Sequence, residues 1–486
     1  MATDTVAIPE ESGLEIHGIE RVSPTTRTHV RIFDNFTMWL GANLVISTIA
    51  LGTLANFAFG LGFWDSVASI VLFNALGVLP VAFFSTLGPK LGLRQMTITR
   101  FSFGWVGGII MAFFNVAACI AWSAVNVIVG SQLVVSLSNG AIPLWAGVIV
   151  IAALTTLVSI YGYRYVHRYE RWAWIPMAIM FLIMFFVGVQ HFSMPATTLS
   201  GLAEVASFIT FGGAVYGFAT GWSSYAADYN VNQPEDTRPS RVFWLTFLGV
   251  FIPCVLLETL GMAFTTGIAN VPAWKDGFGT TGDVGGLLSA VVSPLGGFGK
   301  FLLVLLALSI VANNIPNDYS LGLSVQVFGK AFQKVKRYIW TLIGAVIYII
   351  IAIIGSQNFA ATLQSFLLDV AYWLGGYGII LVLEHFVFRR GQYNVDDWNT
   401  PSRLPLGWAA IVAIIAGLVG GLLGANQLNF QGFITRFINQ PNGIDLGFEF
   451  SVLLAGIVYL ILRNIEIRSP RGRIGLGEEV EASGGE

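Results

Sequence analysis

Twelve mostly apolar stretches recur along this chain, near residues 35–59, 64–87, 103–136, 142–162, 171–193, 207–227, 242–267, 296–327, 338–356, 360–388, 406–426 and 446–463. A bilayer's hydrocarbon core is crossed by a helix of about 20 such residues. Inside that core every backbone amide and carbonyl must find a partner within the chain, so stretches of this length are read as helices. The pattern predicts an all-α polytopic membrane protein with twelve transmembrane helices. Composition agrees: 55% of the 486 residues are hydrophobic and 11% charged, against about 25% charged in soluble domains. A net charge of −2 gives no sign of nucleic-acid binding. The first 33 residues are polar and contain acids, unlike a cleavable signal peptide. Cys119 and Cys254 fall in apolar stretches and read as free, buried thiols. Residues 283–292 predict a short helix ahead of the eighth span.

Lys and Arg set the orientation. With the N-terminus in the cytoplasm, 22 of the 25 basic residues fall in cytoplasmic segments, and only Lys275, Lys300 and Arg436 fall outside. Such a bias supports the span count, its parity and two cytoplasmic termini. The plasma (cytoplasmic) membrane is the expected location.

No soluble catalytic motif stands out. The five histidines are scattered along the chain, which predicts no metal site and no enzyme. The 296–300 segment resembles a phosphate loop, but Pro294 replaces its first glycine and Phe301 follows the lysine, so it reads as a loop leading into a helix. Glycines 417, 420, 421 and 424 have the spacing of a helix-packing surface.

Polar residues inside spans are costly and are functional candidates by default. The richest stretch is 208–230, with glycines at 212, 213, 217 and 221, then Trp222, Ser223, Ser224 and Asp228. Each interior glycine costs about 1 kcal/mol relative to alanine, so this span is predicted to unwind partway. A broken membrane helix is tolerated where its backbone lines a cavity, and an aromatic plate beside two hydroxyls suits a small, flat, polar solute. Close helix packing on the glycines explains the same stretch structurally. The first span has a second patch, with Gly41, Asn43, Ser47, Thr48 and Gly52. In the third span Trp122 and Asn126 share one face, as do Asn313 and Asn317 in the eighth, continued by Ser320. Pro316 lacks an N–H, which frees the carbonyl of Ala312. For each amide the structural alternative is an interhelical hydrogen bond.

The two broken candidates, the first and sixth spans, lie five spans apart, as do the long polar third and eighth. Five is odd, so the halves have opposite orientation. Two inverted five-helix repeats with discontinuous first helices form the plan of a large transporter class. The division predicts a tail over 1–33, repeats over 34–193 and 207–388, two further helices over 405–464 and a tail over 465–486.

The segments LGPKLGLRQMTITRFSFG (87–104), AWSAVNVIVGSQL (121–133), SSYAADYN (223–230), NNIPNDYS (313–320) and LEHFVFRRGQY (383–393) resemble the purine–cytosine permease branch of the nucleobase–cation symporter family. The resemblance covers nearly the whole chain. It implies the inverted-repeat fold of the leucine transporter class. It also implies a ring bound between Trp122 and Trp222, with Asn126, Ser224, Asn317 and Ser47 as polar partners; Asn313 is a further candidate from the reading of the eighth span itself. The chemistry of these side chains fits independently. Indoles can cover the faces of a purine or pyrimidine, and an amide offers both a donor and an acceptor to its edge. No Lys or Arg stands among them, which argues against nucleotides and carboxylates.

Sodium-coupled relatives in this family use two eighth-span hydroxyl residues, and the matching positions here are Val311 and Ala312. Neither side chain offers oxygen to a hard cation, although the Ala312 carbonyl could. Asp228, Asp318, Glu258 and Asp369 lie in spans and could carry a proton, or could hold structure instead. The expectation is a secondary active importer of a nucleobase, cytosine or purine. It would be coupled to H+ rather than Na+ and need no cofactor, with the heterocycle and the lipid bilayer as its partners. A related heterocycle (hydantoin, allantoin or a vitamin ring), a channel, and an intramembrane enzyme or sensor stand as alternatives.

Overall fold

The computed structural model describes residues 18–27, 31–160, 163–428 and 430–473. His17 and His29 lie outside the described residues, as do the side chains of Arg164, His167, Arg168, Arg171, Ala312, Arg471 and Arg473. Eight helical segments are long and apolar enough to cross a membrane, and a ninth is the bent pair Asp34–Asn43 and Ile46–Phe57. One of the eight, Arg337–Phe388, holds two helices, Arg337–Gly355 and Phe359–Leu383, parted by a turn at Ser356–Asn358. Leu144–Ser159 and Trp408–Gly424 are shorter apolar helices. Each of the twelve predicted spans therefore has a helical counterpart. The short helix ahead of the eighth span is also present, at Val284–Val292.

Helix ends depart from the apolar limits where polar residues continue a helix. The fifth starts at Tyr163 rather than near 171, and the sixth at Leu202 rather than near 207. Hydropathy marks what can lie in lipid, whereas backbone hydrogen bonding decides where a helix stops.

The first and sixth spans break, as their composition predicts. In the first, Leu44 and Val45 leave helical geometry and the axis bends by 54°. The released carbonyls of Ala42 and Asn43 accept from Asn313 Nδ2 at 2.5 Å and Thr48 Oγ1 at 2.7 Å. In the sixth, the α-helix ends at Thr220 and gives way to two tight turns, Gly221–Ser224 and Ala226–Tyr229, divided at Tyr225. The third (Arg100–Leu137) and eighth (Gly297–Gln326) spans run beside these breaks and pack on each other. The eighth continues through Pro316, whose own carbonyl accepts from Tyr229 Oη at 2.8 Å.

Two glycines bring the second half of the first span (Ile46–Phe57) against the seventh (Pro239–Gly267). A Cβ on Gly52 would lie 1.9 Å from the Glu258 carbonyl, and one on Gly261 would lie 2.1 Å from the Ile49 carbonyl. The two backbones therefore touch, the close approach that small residues permit in membrane helices. Gly420 likewise faces the Phe450 carbonyl, joining the last two spans.

Several arginines that the sequence assigns to polar loops fold back into the protein. Arg94, Arg100, Arg337, Arg389 and Arg463 are all buried. Glu384 accepts from Arg389 at 2.9 Å, Arg463 at 2.8 Å and Tyr459 at 2.8 Å. This cluster locks the end of the tenth span to the last helix.

Candidate substrate site

The breaks of the first and sixth spans face the third and eighth spans, and their polar residues meet at one cavity. It is lined by Trp122, Phe218, Gly221, Trp222, Tyr225, Asn313 and Asn317. Four of the seven residues expected to bind substrate thus converge from three spans. Gly221 makes the geometry possible: a Cβ there would stand 2.8 Å from the Trp122 ring. Trp122 meets Phe218 and Phe366 edge-on, with ring centroids 5.4 and 4.8 Å away. Trp222 meets Trp39 and Tyr225 the same way, at 5.4 and 5.8 Å.

Asn126 and Ser47 stand behind this wall. Ser47 Oγ donates to Asn126 Oδ1 at 2.7 Å, and Asn126 Nδ2 donates to Asn313 Oδ1 at 2.6 Å and Asn314 Oδ1 at 3.1 Å. Asn126 therefore makes the interhelical bonds of the structural alternative, and it reaches the cavity through Asn313. Ser224 is fully buried and its hydroxyl has no partner, but it does not line the cavity. Trp122 Nε1 and Asn314 Nδ2 are further buried donors without partners. Unpaired donors of this kind are costly in a membrane interior, and Trp122, which carries one of them, lines this cavity.

The cavity is closed. Its free volume is about 10 Å3, room for a single water rather than a heterocycle. Two contacts hold it shut. Trp222 Nε1 donates to Asn43 Oδ1 at 3.0 Å, and Tyr225 Oη donates to Asn317 Oδ1 at 2.6 Å. The free volume thus leaves no room for a ring in this state, because Asn43 accepts the Trp222 N–H and Tyr225 donates to Asn317, the groups a ring edge would meet. Tyr225 and Phe218 are not singled out by the sequence, and Asn43 is named there as part of the first-span polar patch without a role in the site. Tyr225 directly follows Ser224, and Asn43 lies in the polar patch of the first span, so adjacency was the available signal.

The four acids separate into different environments. Asp228 Oδ1 accepts from the Gln95 amide at 2.7 Å and Oδ2 from Ser320 at 3.1 Å, and Arg94 donates to its carbonyl at 2.5 Å. It pins the end of the broken sixth span to the loop between the second and third. Asp318 accepts from Ser123 at 3.3 Å and lies near Arg337. Glu258 is buried with Asn74 as its partner, at 2.7 Å. Asp369 is exposed and meets Gln427 at 3.2 Å, so it departs from the expectation of an acid sequestered in a span. Asp369 lies eleven residues into the tenth helix (Phe359–Leu383), on the side where Gln427 of the 426–443 segment covers one end of the bundle. That end of the bundle carries a larger cavity, about 810 Å3, roofed by the 426–443 segment and containing none of the predicted binding residues.

No group of three or more His, Cys, Asp or Glu residues could hold a metal among the described residues. Cys119 and Cys254 are free and buried.

Comparison with known proteins agrees with this architecture. The model of the family described as permeases for cytosine/purines, uracil, thiamine and allantoin matches residues 22–449. A purine-cytosine permease of Emericella nidulans, fcyB, is 43% identical over 462 residues, covering 94% of this chain and 90% of the relative. The Saccharomyces cerevisiae purine-cytosine permease FCY21 is 40% identical over 461 residues, covering 93% and 87%. Among solved structures, Mhp1, a nucleobase-cation-symport-1 family transporter in a closed conformation with bromovinylhydantoin bound, superposes with a TM-score of 0.73. It is 15% identical and covers 96% of this chain and 98% of its own. The fold is that of the leucine transporter class, with an inverted-repeat core and two additional C-terminal helices. On this evidence of sequence and fold together, the chain belongs to the cytosine/purine permease family, in its purine–cytosine permease branch.

Proposed function

We propose that this protein imports a nucleobase, cytosine or a purine, by proton symport and alternating access. The observation that carries this reading is the cavity where Trp122, Trp222, Asn313 and Asn317 meet at two helix breaks. Two indoles suit the apolar faces of a heterocycle, and two amides suit the donors and acceptors of its edge. The purine-cytosine permease names of the similar fungal proteins support the substrate class. In the closed state Asn43 and Tyr225 stand in for the ring. Substrate entry would release Trp222 and Asn317 from them, and closure around the ring would re-form a dry site.

Proton rather than sodium coupling draws on two features. The eighth span carries Val311 and Ala312 where hydroxyl ligands would stand. The Ala42 carbonyl, freed by the first-span break, is already taken by Asn313 Nδ2. Hard cations need several oxygen ligands at once, and this arrangement withdraws them. The basic bias of the sequence supports cytoplasmic termini in a plasma membrane.

The test is uptake of labelled cytosine and adenine into proteoliposomes, with unlabelled nucleobases, hydantoin, allantoin and pyridoxine as competitors. Imposed pH and sodium gradients are applied separately. Saturable, uphill, protonophore-sensitive uptake displaced best by nucleobases is expected. Uptake that neither saturates nor runs uphill would identify a channel instead.

A further inference from the structure

We propose that Glu258 is the carboxyl that takes up and releases the coupled proton, and that it is protonated in the closed state. This rests on the proton-coupled reading above and assigns it to a residue outside the cavity. Glu258 lies in the seventh span, fully buried. Its Oε2 accepts from Asn74 Nδ2 at 2.7 Å. The same nitrogen donates to the Ile70 carbonyl at 2.9 Å, which fixes the orientation of the amide. The other two atoms of this pair, Glu258 Oε1 and Asn74 Oδ1, are both buried without a partner.

Both are acceptors when the acid is ionised, so neither can satisfy the other. A proton on Oε1 changes that: the O–H can donate to Asn74 Oδ1 while Asn74 Nδ2 donates back to Oε2. Only the neutral acid can complete both bonds with an amide. No ion pair involves Glu258 among the described residues. The first span presents backbone to it at Gly52, the second presents Asn74, and Cys254 on its own helix is the titratable neighbour that feels its charge. Asp228 and Asp318 differ, because Asp228 has the Gln95 amide, Ser320 and Arg94 nearby, and Asp318 has Ser123, Ser159 and Arg337.

Position links this acid to the substrate site. The Glu258 backbone touches Gly52 in the second half of the broken first span. One turn earlier, Cys254 Sγ lies 3.6 Å from Asn43 Oδ1, the atom that receives Trp222 Nε1. The step is a proton transfer alone. Water on one side of the membrane delivers a proton to the carboxylate, and Oε1 later returns it to water on the other. An ionised Glu258 needs water or donors that this tight crossing lacks, so ionisation favours parting of the first, second and seventh spans. Protonation favours their closure over Trp222, which is a coupling of two sites through one packed element.

The test compares wild type with Glu258→Gln in proteoliposomes. Glutamine keeps the shape and supplies the donor, mimicking the neutral acid. Substrate binding and equilibrium exchange of labelled for unlabelled cytosine should persist in E258Q. Concentrative uptake driven by a pH gradient should be lost, and the pH dependence of binding should flatten. A folded E258Q that still concentrates substrate with wild-type pH dependence would overturn the assignment to Glu258. A wild type indifferent to the pH gradient would overturn the proton reading itself, and this proposal with it. Infrared difference spectroscopy of wild type provides a second readout, independent of how well the variant folds. A protonated-carboxyl band should respond to substrate and to Asn74→Ala, and a band indifferent to both would count against the proposal.

Discussion

Two buried polar regions of this protein look alike in sequence and behave oppositely in structure. At the end of the tenth span, Glu384 is met by two arginines and a tyrosine, and Arg463 is shared with Glu466 at 2.9 Å. At the helix breaks, the amides bond to one another and to backbone, while Trp122 Nε1, Asn314 Nδ2 and Ser224 Oγ have no partners. Burial is common to both. What differs is closure: the ionic cluster is paired within the protein, whereas the central one keeps unpaired donors, with Tyr225 donating to Asn317 and Asn43 accepting from Trp222. Unpaired donors beside two helix breaks and a cavity mark the central region as the place for a ligand.

The largest effect should come from breaking the closed region. Glu384→Ala leaves the buried Arg389 without its carboxylate and Arg463 with Glu466 alone, and losing one partner of a buried pair costs about 3–5 kcal/mol. The expected result is little folded protein in the membrane by fluorescence-detected size-exclusion chromatography. Normal yield with normal uptake would erase the contrast between the two regions.

The central region should respond in binding instead. Trp222→Ala should fold and should weaken nucleobase binding, because a base–aromatic stack is worth about 1–3 kcal/mol. Measured by radioligand binding, that is a loss of roughly tenfold. Gly221→Ala sharpens the same point, since its Cβ would meet the Trp122 ring at 2.8 Å. Overpacking of this kind costs about 1–3 kcal/mol, and affinity should fall with no change in thermal stability beyond that scale. The smallest effect is expected from Ser224→Ala. Its hydroxyl has no protein partner, so stability should hold. Affinity should drop by about 1 kcal/mol if the open site presents that hydroxyl to the ring. A scan of both thermal stability and affinity separates the two outcomes.

Much of this contrast could be read from the chain, and some could not. The breaks were legible because glycine and asparagine are poor helix formers, and they gathered at 212–221 and at 41–43. The pairing of faces at Trp122, Asn313 and Asn317 followed from helical spacing. The Glu384 cluster was hidden because its partner Arg463 lies 79 residues away, and the sequence counts both arginines as loop charges. The closed state was equally hidden. Spacing places Asn317 on a face, but only packing decides that Tyr225 occupies its oxygen. Asp369 and Glu258 looked equivalent as acids within apolar stretches, and their burial separates them.

The central claim is that indoles hold the ring while amides read its edge. Radioligand binding to purified protein in nanodiscs tests it by ranking cytosine, adenine, hypoxanthine and uracil against wild type, Trp222→Ala and Asn317→Ala. Loss of the stack should weaken every ligand in similar proportion and keep the order. Removal of the amide should cost about 1–3 kcal/mol for ligands that pair with it and far less for the others, so the order should change. Identical rankings in all three proteins, or unchanged affinities in both variants, would contradict the account.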